Sequence, residues 1–328
     1  MIYFEGYNFT ELYYRILNSF LSFEGGVETS RIGKIRDLGK VCITLSRDNF
    51  RMPLLLNRGF NPIFALCESA WILNGDNEVK PLLGYINNYS QYSDDGLTLN
   101  GAYGYRLINH FGFNQIEKSI ELLRQSPDTR RAVLQLWSTS DLGRQSNDIP
   151  CNTQVMLKIK DYRLNITVIN RSNDAFLGIP YNIFVFFILQ QYIASRLNIE
   201  IGTQSHFTDS LHLYERDMKS VEQIIERNTG VNFDRLNRYL QQFSWTQFVL
   251  DNECHHQILN KDLTAITNPV IKSAAMLYYN FDIGNKQTDS INDDLLALSC
   301  VFWAKHFGKY KQSQVSIGRF EKEIFNGI

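Results

Sequence analysis

The chain has 328 residues, enough to bury a large core as one mixed domain or as one domain with an appendage. A hydrophobic fraction of 44%, a charged fraction of 20% and a net charge of −1 predict a globular protein, and they exclude strong attraction to a nucleic-acid polymer or an anionic membrane. The longest wholly apolar run, residues 183–189, is too short to span a bilayer. Residues 1–7 carry no signal pattern and the five cysteines are unclustered, so we expect a cytoplasmic protein without a disulfide framework.

The first part of the chain contains two predicted helices separated by a basic segment and a strand. Residues 8–22 place apolar side chains at helical spacing, and residues 41–45 have the composition of a strand. Between them, residues 24–39 contain two glycines followed by basic residues. This segment is either a mobile loop that closes on an anion or a solvated connector. The second helix is predicted from Asn61-Pro62 to Asn74-Gly75, a start and a stop of the usual kind.

Glu68 is a carboxylate within that largely apolar second helix. An exposed glutamate on a helix is ordinary, and a surface position is one interpretation. The other interpretation is burial, because the neighbouring apolar residues leave the helix little polar face. Burial would raise the pKa of the carboxyl towards the range that suits general acid–base catalysis.

Two segments before the middle of the chain have local signatures. Glycines punctuate residues 99–106 and indicate close backbone approach, while a helix is predicted near residues 114–126. Arg130 and Arg131 then lead into a predicted strand at residues 132–137. Because side chains alternate along an extended segment, the two arginines should point in opposite directions, so that one could face an anion and the other a partner subunit. Taken alone, the pattern favours a pair of ordinary surface cations.

Cys151 follows a proline at the start of a predicted strand hairpin that ends near Arg171. It could be an inert buried thiol, a metal ligand or a nucleophile. A metal site is not expected, because the chain has no CxxC motif and its one Cys/His cluster, Cys254-His255-His256, cannot easily face a single ion. A guanidinium near the thiol favours the reactive thiolate, so the sequence favours the nucleophile. A long buried helix is predicted after Pro180.

Taken in order, these residues resemble the thymidylate synthase and pyrimidine-nucleotide hydroxymethylase family over roughly residues 29–217. The family's Pro-Cys nucleophile is similar to Pro150-Cys151, and its His-x-Tyr and Glu-x-x-Trp motifs are similar to those at His212 and Glu68. The family's Arg-Ser-x-Asp-x-x-Leu-Gly-x-Pro-(Phe/Tyr)-Asn block resembles residues 171–182. The Arg-x-Gly phosphate loop resembles Arg31-Ile32-Gly33, with Arg36 as a substitute, and the arginine pair that reaches into a neighbouring subunit resembles Arg130-Arg131.

The resemblance implies an α+β fold in which a large mixed sheet packs against helices and one sheet face forms a homodimer interface. It implies a catalytic domain at residues 1–228, followed by a mostly helical extension at residues 229–328. The implied partners are a pyrimidine nucleoside monophosphate and 5,10-methylenetetrahydrofolate, in active sites shared between subunits. The catalytic residues that it implies are Cys151, Glu68 and Asp174, and the substrate-binding residues are Arg31, Arg130, Arg131, Asn170, Arg171, Ser172, Gly178, Asn182, His212, Tyr214 and Tyr103.

The resemblance also implies a role for each of these groups. The Cys151 thiolate adds to C6 of the base, and C5 then takes the one-carbon unit from the folate. The arginines and Ser172 hold the phosphate, and His212 with Tyr214 binds the sugar hydroxyl. Glu68 moves protons at the base through water, and Asp174 organises the folate side of the site.

Several departures from the family pattern favour a 5-hydroxymethyl product. Asn170 stands where the family has glutamine, and Asn152 stands where it has histidine. No tryptophan occurs between Trp71 and Trp137, and the closing C-terminal tail is not recognisable. Because these features keep water from a reactive exocyclic methylene, we expect water rather than hydride to quench it. The alternatives are a methylating thymidylate synthase and a non-catalytic nucleotide-binding relative.

The identity of residue 182, an asparagine, predicts which base the protein binds. Its carboxamide pairs with the N3–H donor and O4 acceptor of uracil, but a flipped amide also matches cytosine. Selectivity therefore depends on whatever orients the amide, and Asn152 is one candidate for that role. We expect dUMP as the preferred substrate, with dCMP or CMP second.

Overall fold

Two β-sheets form the frame of the computed structural model, which describes residues 1–46, 51–87, 89–240, 257 and 262. The strands are β1 (Ile2–Gly6), β2 (Glu28–Ser30), β3 (Gly33–Asp37), β4 (Val41–Leu45), β5 (Val133–Gln135), β6 (Asn152–Lys160), β7 (Arg163–Asn170), β8 (Asn173–Asp174), β9 (Glu200–Thr208) and β10 (Leu211–Tyr214). The larger, mixed sheet has the order β1-β4-β9-β7-β6-β5, and the smaller has the order β2-β3-β10-β8.

The α-helices pack on the larger sheet and on one another. They are α1 (Phe9–Leu21), α2 (Pro62–Leu73), α3 (Lys80–Leu83), α4 (Tyr103–Tyr105), α5 (Gln115–Gln125), α6 (Gly178–Leu197), α7 (Met218–Asn228) and α8 (Phe233–Leu240). Asparagine side chains cap the three predicted helices α1, α2 and α5: Asn8, Asn61 and Asn114 each accept a backbone N–H of the first turn. The α+β class and these three helices are confirmed.

The helix α6 lies at the centre of the molecule, packed against α2, α5, β7 and β9. Its side chains from Ile183 to Gln191 are all buried, which explains the near absence of charge along it. The strand β7 alternates buried and half-buried residues, and Leu164, Ile166 and Val168 face the core. A sheet with one covered face therefore supports the site.

The β6–β7 hairpin sets the position of the predicted nucleophile. Its turn residues, Asp161 and Tyr162, have φ angles of 52° and 57°, as a type I′ turn requires. Asn152 pairs with Asn170 across the hairpin, and the Arg171 N–H donates to the Cys151 carbonyl at 2.9 Å. The open end of the hairpin thus brings Cys151 beside Arg171, as the sequence predicts.

Two expectations need correction. Residues 24–39 are neither a loop nor a simple connector, because β2 and β3 form a hairpin that pairs with β10 in the smaller sheet. The strand predicted at residues 132–137 spans only Val133–Gln135, because the N–H groups of Leu136 and Trp137 both donate to the Thr153 carbonyl and end the regular ladder. Arg130 and Arg131 lie before this strand, so the alternation expected of an extended segment does not govern them.

The division at residue 228 stays a prediction. The helix α8 follows it, with Leu236 fully buried in the large core cluster and the Phe233 ring 5.2 Å from the Tyr14 ring. Most of the expected extension, including Cys254-His255-His256 and the C-terminal tail, lies outside the described residues. In the described part of the chain, no helix is both long enough and apolar enough to cross a membrane.

Candidate active site

The Arg171 side chain lies beside the Cys151 thiol. Its Nη2 lies 3.7 Å from the thiol Sγ and donates to the Ile149 carbonyl at 3.0 Å, while its Nε donates to the Pro150 carbonyl at 3.0 Å. The Trp137 ring lies 5.9 Å from the guanidinium carbon. These contacts hold the cation against the loop that carries the thiol.

Burial raises the pKa of the Cys151 thiol, although the nearby Arg171 and Arg31 lower it. Asp148 and Asp174 raise it further because a negative charge close to the thiol disfavours the thiolate. The guanidinium expected from the sequence is therefore in place, yet it does not outweigh burial in the free protein. An anion that neutralised the two arginines would raise the thiol pKa further.

Glu68, for which the helix pattern left two interpretations, is half-buried, with one carboxyl oxygen fully enclosed. Burial raises the pKa of Glu68 to about 7, and a hydrogen bond from the Tyr89 hydroxyl to Oε1 at 3.4 Å lowers it only in part. The other oxygen, Oε2, is buried and has no hydrogen-bond partner among the described residues. A carboxyl with a pKa near neutrality can both give and take a proton.

His212, Ser172 and Asp174 meet where β10 runs parallel to β8. The Ser172 hydroxyl lies 3.3 Å from Nδ1 of His212, and the rings of His212 and Tyr214 are 5.1 Å apart. Burial raises the pKa of Asp174, although its Oδ1 accepts the backbone N–H groups of Phe176 and Leu177. The sheet register, rather than proximity in sequence, brings His212 to Ser172.

Asn182 and Gly178 lie one turn apart on the same face of α6. The Asn182 Nδ2 donates to Oδ1 of Asn173 at 3.0 Å. Gly178 is tightly packed, since a Cβ added there would collide with the same Asn173 oxygen. Asn173, and not Asn152, therefore contacts the predicted base-reading amide.

Tyr103 and Asn152 lie close to Cys151 in the interior of the protein. Burial raises the pKa of the Tyr103 hydroxyl, and hydrogen bonding to Asn152 lowers it. Asn152 is fully buried, yet neither of its amide atoms has a partner of good geometry among the residues that the structure describes. Asn170 is buried as well, with its Nδ2 donating to the Phe207 carbonyl at 3.2 Å. The expected close approach of residues 99–106 is confirmed, because a Cβ at Gly104 would collide with the Ile72 carbonyl.

The loop at residues 142–150, here called the nucleophile loop, is held at both ends. At its start, the fully buried Arg106 forms two hydrogen bonds with the Asp141 carboxylate, at 2.5 and 2.8 Å. Near Cys151, the Asp148 Oδ2 accepts the Gly101 N–H at 2.6 Å. Burial raises the pKa of Asp148. Asp148 is thus a group close to the thiol that the sequence did not single out.

Of the arginines predicted to bind the phosphate, only some lie near Cys151. Arg31 donates to the Asn147 carbonyl at 3.2 Å and so reaches the nucleophile loop. Arg36 is bound to Glu215 at 2.7 Å, which leaves it a poor substitute for Arg31. Arg130 and Arg131 are exposed, and neither guanidinium has a hydrogen bond or ion pair within the described residues. In the strand register, Val133 pairs with Met156, so the two arginines before Val133 lie away from the Cys151 end of β6.

A family comparison identifies this arrangement. The family model described as thymidylate synthase matches residues 13–265, well over half of the chain. The chain belongs to the thymidylate synthase family. The two-sheet α+β fold, with helices packed on a large mixed sheet, agrees with this membership.

Curated relatives fall into two groups. The chain is 39% identical over 205 residues to a deoxyuridylate hydroxymethyltransferase of Pseudomonas phage M6, covering 61% of this chain and 58% of that protein. It is 34% identical over 245 residues to a deoxyuridylate hydroxymethyltransferase of Bacillus phage SP01, covering 70% and 64%. A thymidylate synthase of Vesicomyosocius okutanii subsp. Calyptogena okutanii (strain HA) is 26% identical over 193 residues, covering 55% and 73%. The chain thus spans less than two thirds of the length of either phage protein.

Sequence reasoning missed three residues of the candidate site. Tyr89 lies between Trp71 and Trp137, in the segment that lacks tryptophan. A tyrosine hydroxyl that could reach Glu68 on the apolar helix α2 was the signal that could have identified it. Asp148 could have been found as a carboxylate three residues before the nucleophile. Asn173 occupies a variable position of the Arg-Ser block, and no local signal marks it because its role depends on contact with α6.

Proposed function

We propose that the protein is a one-carbon transferase that converts dUMP to 5-hydroxymethyl-dUMP, using 5,10-methylenetetrahydrofolate and water. The observation that carries the proposal is the Cys151 thiol lying 3.7 Å from Arg171, in a chain 39% and 34% identical to two deoxyuridylate hydroxymethyltransferases. Nucleotide binding alone needs neither a nucleophile nor a carboxyl with a pKa near 7. The Cys151 thiol and the Glu68 carboxyl therefore argue against the alternative of a non-catalytic nucleotide-binding protein.

The described residues divide the work around the nucleotide. Cys151 adds to C6 of the base and is expelled at the end, and Glu68 relays the protons. Arg171, with Ser172 beside it, takes the phosphate through charge-assisted hydrogen bonds. His212 meets the sugar, and the remaining residues, Arg31, Asn170, Gly178, Asn182, Tyr214 and Tyr103, complete the pocket.

The folate side of the site is assigned to Asp174 and two exposed apolar side chains. Asp174 Oδ2 has no hydrogen bond among the described residues, and Leu177 exposes its side chain three residues later. The exposed Tyr92 ring lies edge-on to Tyr89 at 5.6 Å, and Tyr89 in turn contacts Glu68. A carboxyl with a free acceptor and exposed apolar surface fit a heteroaromatic ring with N–H donors. When bound, the folate supplies the one-carbon unit at the oxidation level of formaldehyde.

The choice between the two products is a choice between water and hydride. Adding water to the exocyclic methylene gives the hydroxymethyl group without a change in oxidation state, whereas a methyl group needs a hydride. The hydroxyl of Tyr89, 3.4 Å from Glu68, and the raised pKa of Glu68 support a polar, protonatable surface beside the methylene. The similarity to the thymidylate synthase of Vesicomyosocius okutanii keeps methylation as the second candidate.

The product tests the proposal directly. The protein is incubated with dUMP and 5,10-methylenetetrahydrofolate in heavy-oxygen water, and the nucleotide is identified by mass while dihydrofolate absorbance is followed. We expect a 5-hydroxymethyl nucleotide carrying one heavy oxygen, with no rise in dihydrofolate, and no product from Cys151→Ser. Stoichiometric dihydrofolate with dTMP would contradict the proposal and identify a methylating synthase.

We further propose that the functional unit is a homodimer that shares its active sites. The face of the larger sheet opposite α6 exposes apolar side chains such as Tyr3, Phe207 and Val133. Large apolar side chains exposed in the interior of a sheet are typical of a surface that another chain covers. Arg130 and Arg131, exposed just before β5 at the edge of this sheet, would then reach the phosphate of the partner's nucleotide.

A further inference from the structure

We infer that Asn173 sets the selectivity between uracil and cytosine by orienting the amide of Asn182; this rests on the proposed function. Asn173 is 2% exposed, and its Oδ1 accepts the Asn182 Nδ2 at 3.0 Å. This contact joins the short strand β8 to the first turns of α6. No other side chain among the described residues donates to or accepts from the Asn182 amide.

The backbone holds Asn173 against α6. Its N–H donates to the Ser210 carbonyl at 2.9 Å, and Asn173 is paired with Leu211 of β10. On the helix side, Gly178 leaves the space that the Asn173 oxygen occupies, since any side chain there would collide with it. The strand pairing and the packing on Gly178 therefore fix the position of the Asn173 side chain.

The consequence for Asn182 follows from its donor and acceptor inventory. One Nδ2 hydrogen is directed to Asn173, which leaves the second hydrogen as a donor and Oδ1 as an acceptor. This arrangement matches the O4 acceptor and N3–H donor of uracil. Cytosine presents the reverse pattern, so the Asn182 amide would have to flip and turn its own oxygen towards the Asn173 oxygen.

A flipped Asn182 would place two acceptors together and lose the buried hydrogen bond. A joint flip of both amides would restore that hydrogen bond, but it would also turn the Asn173 amide nitrogen towards Gly178 in the first turn of α6, where the positive end of the helix dipole favours an acceptor. The uracil orientation is therefore favoured by the one contact that Asn173 makes with α6. Asn173 is a specificity-determining residue that acts through Asn182 and does not touch the base.

Equilibrium binding without folate tests this inference. Calorimetry gives the ratio of the dCMP and dUMP dissociation constants for the wild-type protein, Asn173→Leu and Asn173→Ala. Leucine nearly fills the space, whereas alanine leaves a cavity, so a change common to both variants reports the lost acceptor. We expect the wild-type protein to prefer dUMP and both variants to reduce the ratio about tenfold, in line with one lost hydrogen bond.

Two controls separate orientation from damage. Binding of 2-deoxyribose 5-phosphate reports an intact phosphate and sugar site, and we expect it to be unchanged in both variants. Asn182→Ala should weaken dUMP binding and abolish the preference for dUMP over dCMP, because it removes the amide that Asn173 orients. A wild-type protein without preference, or variants that retain the wild-type ratio, would overturn the inference. Because no turnover is measured, the binding result stands or fails separately from the proposed reaction.

Discussion

Burial controls the two residues nearest to the proposed chemistry. It raises the pKa of the Cys151 thiol and raises that of Glu68 to about 7. For Glu68 this shift favours function, because the group can exchange a proton near neutral pH. For Cys151 it opposes function in the free protein, since the thiolate is the nucleophile. The proposed reaction therefore depends on a proton acceptor near the thiol as well as on Arg171.

Cys151→Ser tests the nucleophile. We expect turnover to fall by at least about 10³-fold, because a serine hydroxyl has a far higher pKa than a thiol and adds poorly to C6. The dUMP dissociation constant should change little, because Arg171 and Ser172 remain. Steady-state kinetics and calorimetry measure the two quantities. Cys42→Ser, at a buried thiol in β4, is the matched control and should retain turnover.

Glu68→Gln tests the buried carboxyl through pH. The pKa of Glu68 is about 7 in the folded state against an ordinary 4.5, so the folded protein retains a proton that the unfolded chain releases. The stability that this proton contributes is fully present below pH 4.5 and is lost as the pH rises through 7. Relative to wild type, Glu68→Gln should gain about 2–3 kcal/mol in unfolding free energy between pH 4.5 and pH 8.

Urea unfolding at both pH values measures this difference. Glu222→Gln, at an exposed position of α7, is the control and should show no such gain. Turnover of Glu68→Gln should fall by about 10²–10⁴-fold. An unfolding difference that does not change with pH would contradict a raised pKa at Glu68.

At the scale of elements, the nucleophile loop is placed by contacts at its two ends and not by regular structure. Arg106 holds Asp141 where the loop begins, and Asp148 holds the Gly101 N–H where it approaches Cys151. The same Arg106 donates through Nε to the Asn100 carbonyl at 2.9 Å. One buried cation therefore links the segment before Tyr103 to the loop that carries the thiol.

Asp148 variants separate the contact from the charge. Asp148→Asn keeps an acceptor for the Gly101 N–H and removes the negative charge that raises the Cys151 pKa. We expect Asp148→Asn to speed alkylation of Cys151 by iodoacetamide at neutral pH and to retain wild-type stability within about 1 kcal/mol. Asp148→Ala loses both, and we expect it to be destabilised by about 1–3 kcal/mol. Equal alkylation rates in wild type and Asp148→Asn would exclude the electrostatic effect.

At the scale of the whole molecule, one sheet face is covered by helices and the other carries exposed apolar side chains. Phe207 is 39% exposed although it lies on β9 in the interior of the larger sheet. Arg130 and Arg131 are exposed at the edge of that sheet and have no partner within the described residues. A second copy of the chain would cover the face and provide a place for these cations.

Hybrid dimers test the shared site. An Arg130→Ala/Arg131→Ala variant and Cys151→Ser should each be nearly inactive, and mixing them with subunit exchange should restore about a quarter of the wild-type turnover through one complete site per hybrid. The matched control mixes Cys151→Ser with Glu68→Gln, which lie in the same subunit's site and should restore nothing. Recovery in neither mixture, with exchange verified by mass, would count against arginines supplied by the partner.

Local patterns in the sequence determined the elements and the family. The caps at Asn8, Asn61 and Asn114, the alternation along β7 and the turn at Asp161-Tyr162 depend on near neighbours, and periodicity reports near neighbours reliably. The order of the motifs was sufficient for the resemblance to the thymidylate synthase family, which the family match confirms.

The tertiary structure decided the properties that depend on distant neighbours. Residues 24–39 form a hairpin because β10, far along the chain, offers a strand edge to β3. The pKa of Glu68 is raised because elements from elsewhere in the chain cover the α2 helix that carries it. Asn173 orients Asn182 because the packing of β8 on α6 brings their amides to 3.0 Å. Electrostatic and hydrogen-bond energies depend on distance and on exclusion of water, and a linear pattern of residues specifies neither quantity.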